Sequence, residues 1–302
     1  MEYNVNNISD EYSFFINGVS YAGDARDNTM MYISKKVAHL VVNLFERKQC
    51  LVFVEKGVEL DKEIKRNNCF IYSDDPQLAY AKLASEFEYK IREQERRWGY
   101  TKTSEGYYIG KNVSIGRNAY IEPGVIIGHN VQIGDDAVIY AGAVIKHAII
   151  GKHFLCNENA VIGNYSFTMA EDEFGNNYRI PALGRVIIGD YVEIGACNDI
   201  SMGACGDTIL DDYVKLDGLV HVGHEAHLNK NTEITAGAVI AGFVEMGEKT
   251  YVGINSGIKN RIRLGNKCTI GMGSNVIKDV NDNSVVIGNP ARPLKNKEIR
   301  ML

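Results

Sequence analysis

The sequence predicts a mainly β protein: a left-handed parallel β-helix of hexapeptide repeats, preceded by a small α/β domain. Three observations predict it. An aliphatic residue recurs every six positions, from Ile109 through Ile115, Ile121, Ile127, Ile133 and Ile139 to Ile145. Glycine follows that residue at Gly110, Gly116, Gly128 and Gly134. Residues 1–105 lack this repeat and mix strand-like with helix-like segments.

The N-terminal domain, residues 1–105, is read from local patterns. Phe14 to Tyr21 is strand-like, with a turn at Asn17-Gly18. Lys35 to Glu46 places Val37, Leu40, Val41 and Leu44 at helical spacing. Leu51–Glu55 and Cys69–Ser73 are short runs of dense β-formers, read as strands. Asp74-Asp75-Pro76 starts a helix, an acidic cap followed by proline in the first turn, and that helix is expected to reach about Trp98. Its buried stripe is Tyr80, Leu83, Ala84, Phe87 and Ile91.

Residues 106–280 carry the repeat. Its step slips by one at Ile150, continues to Cys156 and Ile162, and resumes at Ile188, Ile194 and Ile200. From Leu210 it runs through Leu216, Val222, Leu228, Ile234 and Ile240 to Val276. Three short strands close one triangular coil of about 18 residues, with the aliphatic side chain inward at each strand. The glycines are expected to relieve backbone crowding at the corners, where positive φ is often needed. Two stretches break the pattern: residues 164–185, whose Tyr165, Phe167, Phe174 and Tyr178 suggest an ordered functional loop, and residues 201–208. Residues 281–302 form a short C-terminal tail.

Bulk properties narrow the function. A net charge of −5 argues against general nucleic-acid binding, which needs a basic face. None of the six cysteines forms a CxxC pair, and the polar, acidic N-terminus is unlike a signal peptide. No apolar run is long enough to span a membrane. The expectation is a cytoplasmic protein without a permanently bound cofactor or metal.

The stretch LDGLVHVGHEAHL, Leu216 to Leu228, holds His221, His224 and His227 with Asp217 upstream. A coil of about 18 residues stacks His224 on Gly242, and Gly242 on Asn260. Asp217 precedes His224 by seven residues and is expected to reach it around a corner. A carboxylate beside an imidazole suits a general base, and a stacked glycine amide suits a developing oxyanion. His224, Asp217 and Gly242 are therefore the candidate catalytic residues. No serine or cysteine has a convincing nucleophile setting, which fits direct transfer.

The segment Ile180–Leu228 resembles the UDP-3-O-acylglucosamine N-acyltransferases of lipid A biosynthesis. It carries IPALGRVIIG, then GACGDTIL, then an aspartate seven residues before a histidine. The resemblance implies catalytic roles for Asp217 and His224 and an oxyanion-hole amide at Gly242. GNYSFTMA is similar to that family's aromatic substrate loop, with Phe167 at its phenylalanine. MYISKK resembles the part of the uridine-binding domain that stacks on uracil, which points to Tyr32. The implied reaction moves an acyl group from a thioester, on acyl carrier protein or coenzyme A, to the amine of a UDP-linked amino sugar. The implied assembly is a homotrimer, which gives two walls to a cleft along the helix.

Some features depart from that family. The ending GNPARPLK is similar to sugar acetyltransferases that use acetyl-CoA, and a histidine beyond the catalytic one corresponds to Arg261. The pair His221-x-x-His224 resembles the UDP-N-acetylglucosamine O-acyltransferases, which makes His221 a candidate substrate contact and O-acylation the alternative reaction. A non-catalytic nucleotide-sugar-binding β-helix protein is the alternative of another class. Zinc held by the three histidines of this stretch finds no matching ligand spacing.

Overall fold

The computed structural model describes residues 2–293, and the rest of the 281–302 tail, from 294 onward, lies outside the described residues. The chain divides into two compact units. One comprises Met1–Arg97, Phe167–Gly184 and Ala204–Gly206; the other comprises Trp98–Ser166, Arg185–Gly203 and Asp207–Leu302.

The first unit is built on a four-stranded parallel sheet in chain order: Gly18–Val19, Thr29–Ile33, Leu51–Glu55 and Cys69–Ser73. Its strands alternate between two cores, as a period of two requires. Met30, Leu51, Phe53 and Cys69 join Tyr80, Ala81, Ala84 and Phe87 of the helix Pro76–Trp98. Met31, Ile33, Val52 and Val54 face the opposite way, with Val41, Leu44 and Ile64. The stripe expected on the long helix is buried at Tyr80, Ala84 and Phe87, while Leu83 is partly buried. Lys35–Leu44 departs from its expected α-helix. It is a 3-10 segment with a non-helical break at Val37 (φ −121°, ψ 22°), because β-branched valines and a short span give little to hold an α-helix there. The excursion expected as an ordered loop contributes an antiparallel hairpin, Met169–Glu171 with Asn177–Arg179.

The second unit is a left-handed parallel β-helix. Its three faces are parallel sheets of two- to four-residue strands, stacked coil on coil. The first face runs from Tyr108–Ile109 through His221–Val222 to Asn275–Val276. The second includes His227–Leu228, and the third includes Lys215–Leu216. Register is set by the inward aliphatic residues: Ile127 pairs with Ile145, Val222 with Ile240, and Ile240 with Ile258. Ile127, Ile139, Ile145, Val222 and Ile240 are 0% exposed, so each removes most of its apolar surface from water, about 1.5–3 kcal/mol per side chain. The excursion between Ile150 and Ile188 leaves the stacking intact, because those two residues are direct partners.

The repeat glycines relieve crowding between coils, as expected, but they do not carry the positive φ. Gly110, Gly116, Gly128 and Gly134 are not the residues with positive φ; Asn112, Asn118, Asn130 and Asp136, two positions on, are (57–61°). Short polar side chains tolerate that conformation well. The glycines are required by coil spacing instead. A Cβ on Gly116 would lie 2.4 Å from the backbone of the next coil, and one on Gly134 would lie 2.6 Å away. Among the described residues no helix is long and apolar enough to cross a membrane.

Candidate active site

His224 occupies the corner that follows the strand His221–Val222. The register of that face puts Gly242 one coil on and Asn260 two coils on. The Phe243 N–H donates to the His224 carbonyl at 2.9 Å, which locks the two corners together. A Cβ on Gly242 would lie 2.7 Å from His224 Nε2 and 2.8 Å from Cε1. The imidazole therefore lies directly on the one residue in the next corner with no side chain. The amides on either side of Gly242 are bonded, Ala241 to Ile258 O and Phe243 to His224 O, whereas the Gly242 N–H donates to no protein acceptor among the described residues. The amide at the equivalent position one coil on, Asn260, likewise donates to no protein acceptor among the described residues, so the corner geometry leaves this N–H free beside His224.

The residue that orients His224 is Glu225. Its Oε2 accepts a hydrogen bond from His224 Nδ1. The Glu225 carboxylate is 3% exposed and the His224 side chain 18%. A carboxylate that deep needs a partner, and the imidazole supplies one. Glu225 is fixed in turn through its backbone. It sits in the left-handed region (φ 52°), and its N–H donates to the buried Thr208 hydroxyl at 2.9 Å. With the proton held on Nδ1, the Nε2 lone pair is the one turned toward Gly242.

Asp217 is not the partner expected for His224. Its two oxygens accept from the Gly218 N–H at 2.7 Å and the Ala236 N–H at 3.2 Å. Asp217 follows the third-face strand Lys215–Leu216, whereas His224 follows the first-face strand His221–Val222. Six residues make one side of the prism, so a seven-residue step leads to the next corner, roughly 20 Å along extended chain. The residue missed was the acid next to the histidine. Its signal in the sequence was a glutamate at a position that repeats as the left-handed corner residue.

His221 points outward from the first face, stacked on Asp199, to which its Nδ1 hydrogen-bonds at 3.0 Å. The other Asp199 oxygen accepts from Asn164 Nδ2 at 3.2 Å. The His221 hydrogen bond is the main reason the Asp199 carboxyl is held below its usual range; the charge of His221 and the Asn164 bond add to this, against the cost of burial. His227 pairs with Asp211 at 3.1 Å. Each of the three histidines thus has its own carboxylate. Among the described residues no three histidine, cysteine, aspartate or glutamate side chains gather as a metal site.

The remaining candidates belong to the other unit. Tyr32 is half-buried on the side of the sheet that faces the long helix, its ring 5.3 Å from that of Tyr80. Phe167 is 79% exposed, with the Arg179 guanidinium 5.5 Å from its ring centre.

Comparison with known proteins finds similarity to acyltransferases in sequence and in fold. A family model described as bacterial transferase hexapeptide (six repeats) matches residues 106–134 and 112–147. The UDP-3-O-acylglucosamine N-acyltransferase of Caulobacter sp. (strain K31) is 37% identical over 148 residues, which cover 49% of this chain and 43% of that protein. About half of the chain is similar in sequence to these N-acyltransferases. UDP-3-O-acylglucosamine N-acyltransferase 2 of Legionella pneumophila (strain Lens) is 36% identical over 157 residues, 51% of this chain and 46% of that protein. The chain thus spans less than half the length of these relatives. Among solved structures, a UDP-N-acetylglucosamine acyltransferase from Bacteroides fragilis 9343 superposes with a TM-score of 0.58 at 26% identity, covering 64% of this chain and 73% of that one. The UDP-N-acetylglucosamine O-acyltransferase of Moraxella catarrhalis RH4 shares the fold, with a TM-score of 0.58 at 24% identity over 65% of this chain and 74% of that one.

Proposed function

We propose that this protein is an N-acyltransferase that moves an acyl group from a thioester to the amine of a UDP-linked amino sugar, in lipid A or surface-polysaccharide biosynthesis. The observation that carries the reading is the His224–Glu225 pair lying on Gly242. His224 Nε2 takes a proton from the amine as its nitrogen attacks the thioester carbonyl carbon. The developing oxyanion accepts from the Gly242 N–H. As the tetrahedral intermediate collapses, the C–S bond breaks, the amide C–N bond is complete, and the imidazolium returns its proton to the leaving thiolate. Glu225 holds the imidazole in the required tautomer and offsets its positive charge. The thioester is already activated, so no covalent enzyme intermediate is needed.

Several parts of the reading rest on resemblance. Tyr32 and Phe167 are proposed contacts for the nucleotide sugar, and His221 a further one. The proposed assembly is a homotrimer. The proposed compartment is the cytoplasm, supported by six free cysteines, five of them buried. O-acylation of a UDP-sugar is the second reading, favoured by the His221-x-x-His224 spacing and by the fold shared with the UDP-N-acetylglucosamine acyltransferase of Bacteroides fragilis 9343. A thiol-release screen separates the two. It pairs short acyl-CoAs and long acyl carrier protein thioesters with UDP-amino sugars and UDP-N-acetyl sugars. Amine-dependent thiol release supports the first reading, and release that depends only on N-acetylated acceptors replaces it with the second. Release with neither leaves the protein a nucleotide-sugar binder.

A further inference from the structure

Beyond Gly242 the character of the candidate site's corner changes, from uncharged to cationic. The next coil's corner carries Lys259 and Arg261, and the corner after that, between Val276 and Val280, carries Lys278. All three are exposed, and among the described residues no carboxylate pairs with any of them. The nearby acids are engaged elsewhere: Asp279 accepts from the Arg263 N–H at 2.9 Å, and Glu245 lies 3.8 Å from the Arg263 side chain. Arg261 is also held in place. Its guanidinium lies 4.1 Å over the Phe243 ring, and that ring meets the His224 imidazole edge-to-face at 5.3 Å. Phe243 adopts φ 59°, a conformation that bulky side chains rarely take. The same corner position is left-handed in the neighbouring coils, at Glu225 (φ 52°) and Arg261 (φ 62°), so the conformation belongs to the coil and the stacked ring and cation are what this corner adds.

From this we infer that the Lys259–Arg261–Lys278 corner binds the phosphates of a coenzyme A thioester, which makes coenzyme A, carrying a short acyl group, the donor for the proposed transfer. The inference rests on the acyltransferase reading of His224 and adds the donor class. Distances support it. Coils are spaced by roughly 4.8 Å, so Lys278, three coils on, lies about 14 Å from the imidazole. A pantetheine arm has thirteen bonds between its sulfur and first phosphorus, about 15 Å at the reach per bond of an extended chain. With the thioester at His224 and Gly242, the diphosphate falls among these three cations. Arg261, flattened on a ring, presents the two-pronged donor that suits phosphate oxygens.

Two rival occupants fit less well. A long fatty chain laid along this corner would have to desolvate a row of charges. An acidic carrier protein needs a broad basic face. Here three cations lie along one edge, with Asp279 and Glu245 beside Arg263 next to them, on a chain of net charge −5.

The test is calorimetric binding of coenzyme A, of pantetheine, and of phosphopantetheinylated acyl carrier protein to the full-length protein, with no sugar present. Wild type is compared with Arg261→Ala, Arg261→Lys and Lys278→Ala. The inference predicts that coenzyme A binds, and that each alanine variant weakens it about tenfold or more, the worth of one charge-assisted hydrogen bond. Arg261→Lys recovers part of the loss, and pantetheine binds weakly and equally to all four proteins. Coenzyme A affinity unchanged within twofold in the alanine variants overturns the inference. So does a carrier protein that binds where coenzyme A does not, or no binding of either. Because no acceptor is present, a failure of the N-acylation reading leaves this result interpretable.

Discussion

Gly242→Ala places a methyl group where the His224 imidazole now rests. The new carbon would lie 2.7 Å from Nε2, 2.8 Å from Cε1 and 3.0 Å from the His224 carbonyl oxygen. Unstrained carbon contacts begin near 3.5 Å, so the shortfall is roughly 0.7 Å. The coils cannot separate to make room without stretching the 2.9 Å bond from the Phe243 N–H to the His224 carbonyl. The ring must swing instead, and swinging it pulls Nδ1 away from Glu225. Overpacking of this kind costs about 1–3 kcal/mol of stability. Displacing a base by about 1 Å costs on the order of 10²-fold in rate. Thermal unfolding and a thiol-release assay under saturating substrates measure the two effects. Gly273→Ala is the control, since Gly273 has positive φ (65°) but nothing within 4 Å of its Cβ position; it loses about 1 kcal/mol with kcat unchanged. A Gly242→Ala enzyme with wild-type kcat and unfolding temperature would show that the imidazole does not rest on Gly242.

Other consequences separate the site residues from one another. Glu225→Gln is expected to lower kcat by about 10²–10⁴-fold, because the neutral amide no longer offsets the imidazolium or enforces the Nδ1 tautomer. Asp217→Asn is expected to change kcat less than about threefold, because that carboxylate serves the backbone N–H groups of Gly218 and Ala236 and an amide oxygen can still accept from one of them. The reverse ranking of these two variants would restore Asp217 as the orienting acid. His147 gives a pH signature: burial, then the charges of Lys146 and His129, push its imidazole down to about 4. Its folded value lies below its unfolded one, so its contribution is complete above about pH 6.5 and is lost as pH falls toward 4. His147→Asn, which suits the left-handed φ of 48°, is expected to flatten the fall of the unfolding temperature across that window; an unchanged slope would contradict the assignment.

The β-helix was legible because its period is enforced by packing. Every sixth residue must be aliphatic to fill the prism, so Ile109, Val222 and Ile240 announce the coils. The 18-residue repeat then carries His224 onto Gly242 without further information. The same arithmetic could not supply the partner of His224. Asp217 and Glu225 are both near it in sequence, and only the direction of the chain at a corner decides which carboxylate meets the ring. The pairing of His221 with Asp199 was hidden for a related reason: the coil between them is 22 residues rather than 18. The corner glycines were legible as relief of crowding, but the positive φ falls two positions on, at residues such as Asn112 and Asn130, since a positive φ and a Cβ clash leave the same mark in a sequence. In the N-terminal unit, Leu51–Glu55 and Cys69–Ser73 declared themselves by β-branched and aromatic density. Lys35–Leu44 has helical spacing of apolar residues but too little length for spacing alone to select an α-helix over a 3-10 one.

The most direct test of the central claim is single-turnover thiol release by wild type and His224→Ala, with a donor and UDP-amino sugar that the wild type accepts. Loss of the general base predicts release slowed by about 10²–10⁴-fold in the variant, with the nucleotide sugar still bound at wild-type affinity. Release at a near-wild-type rate would contradict the account.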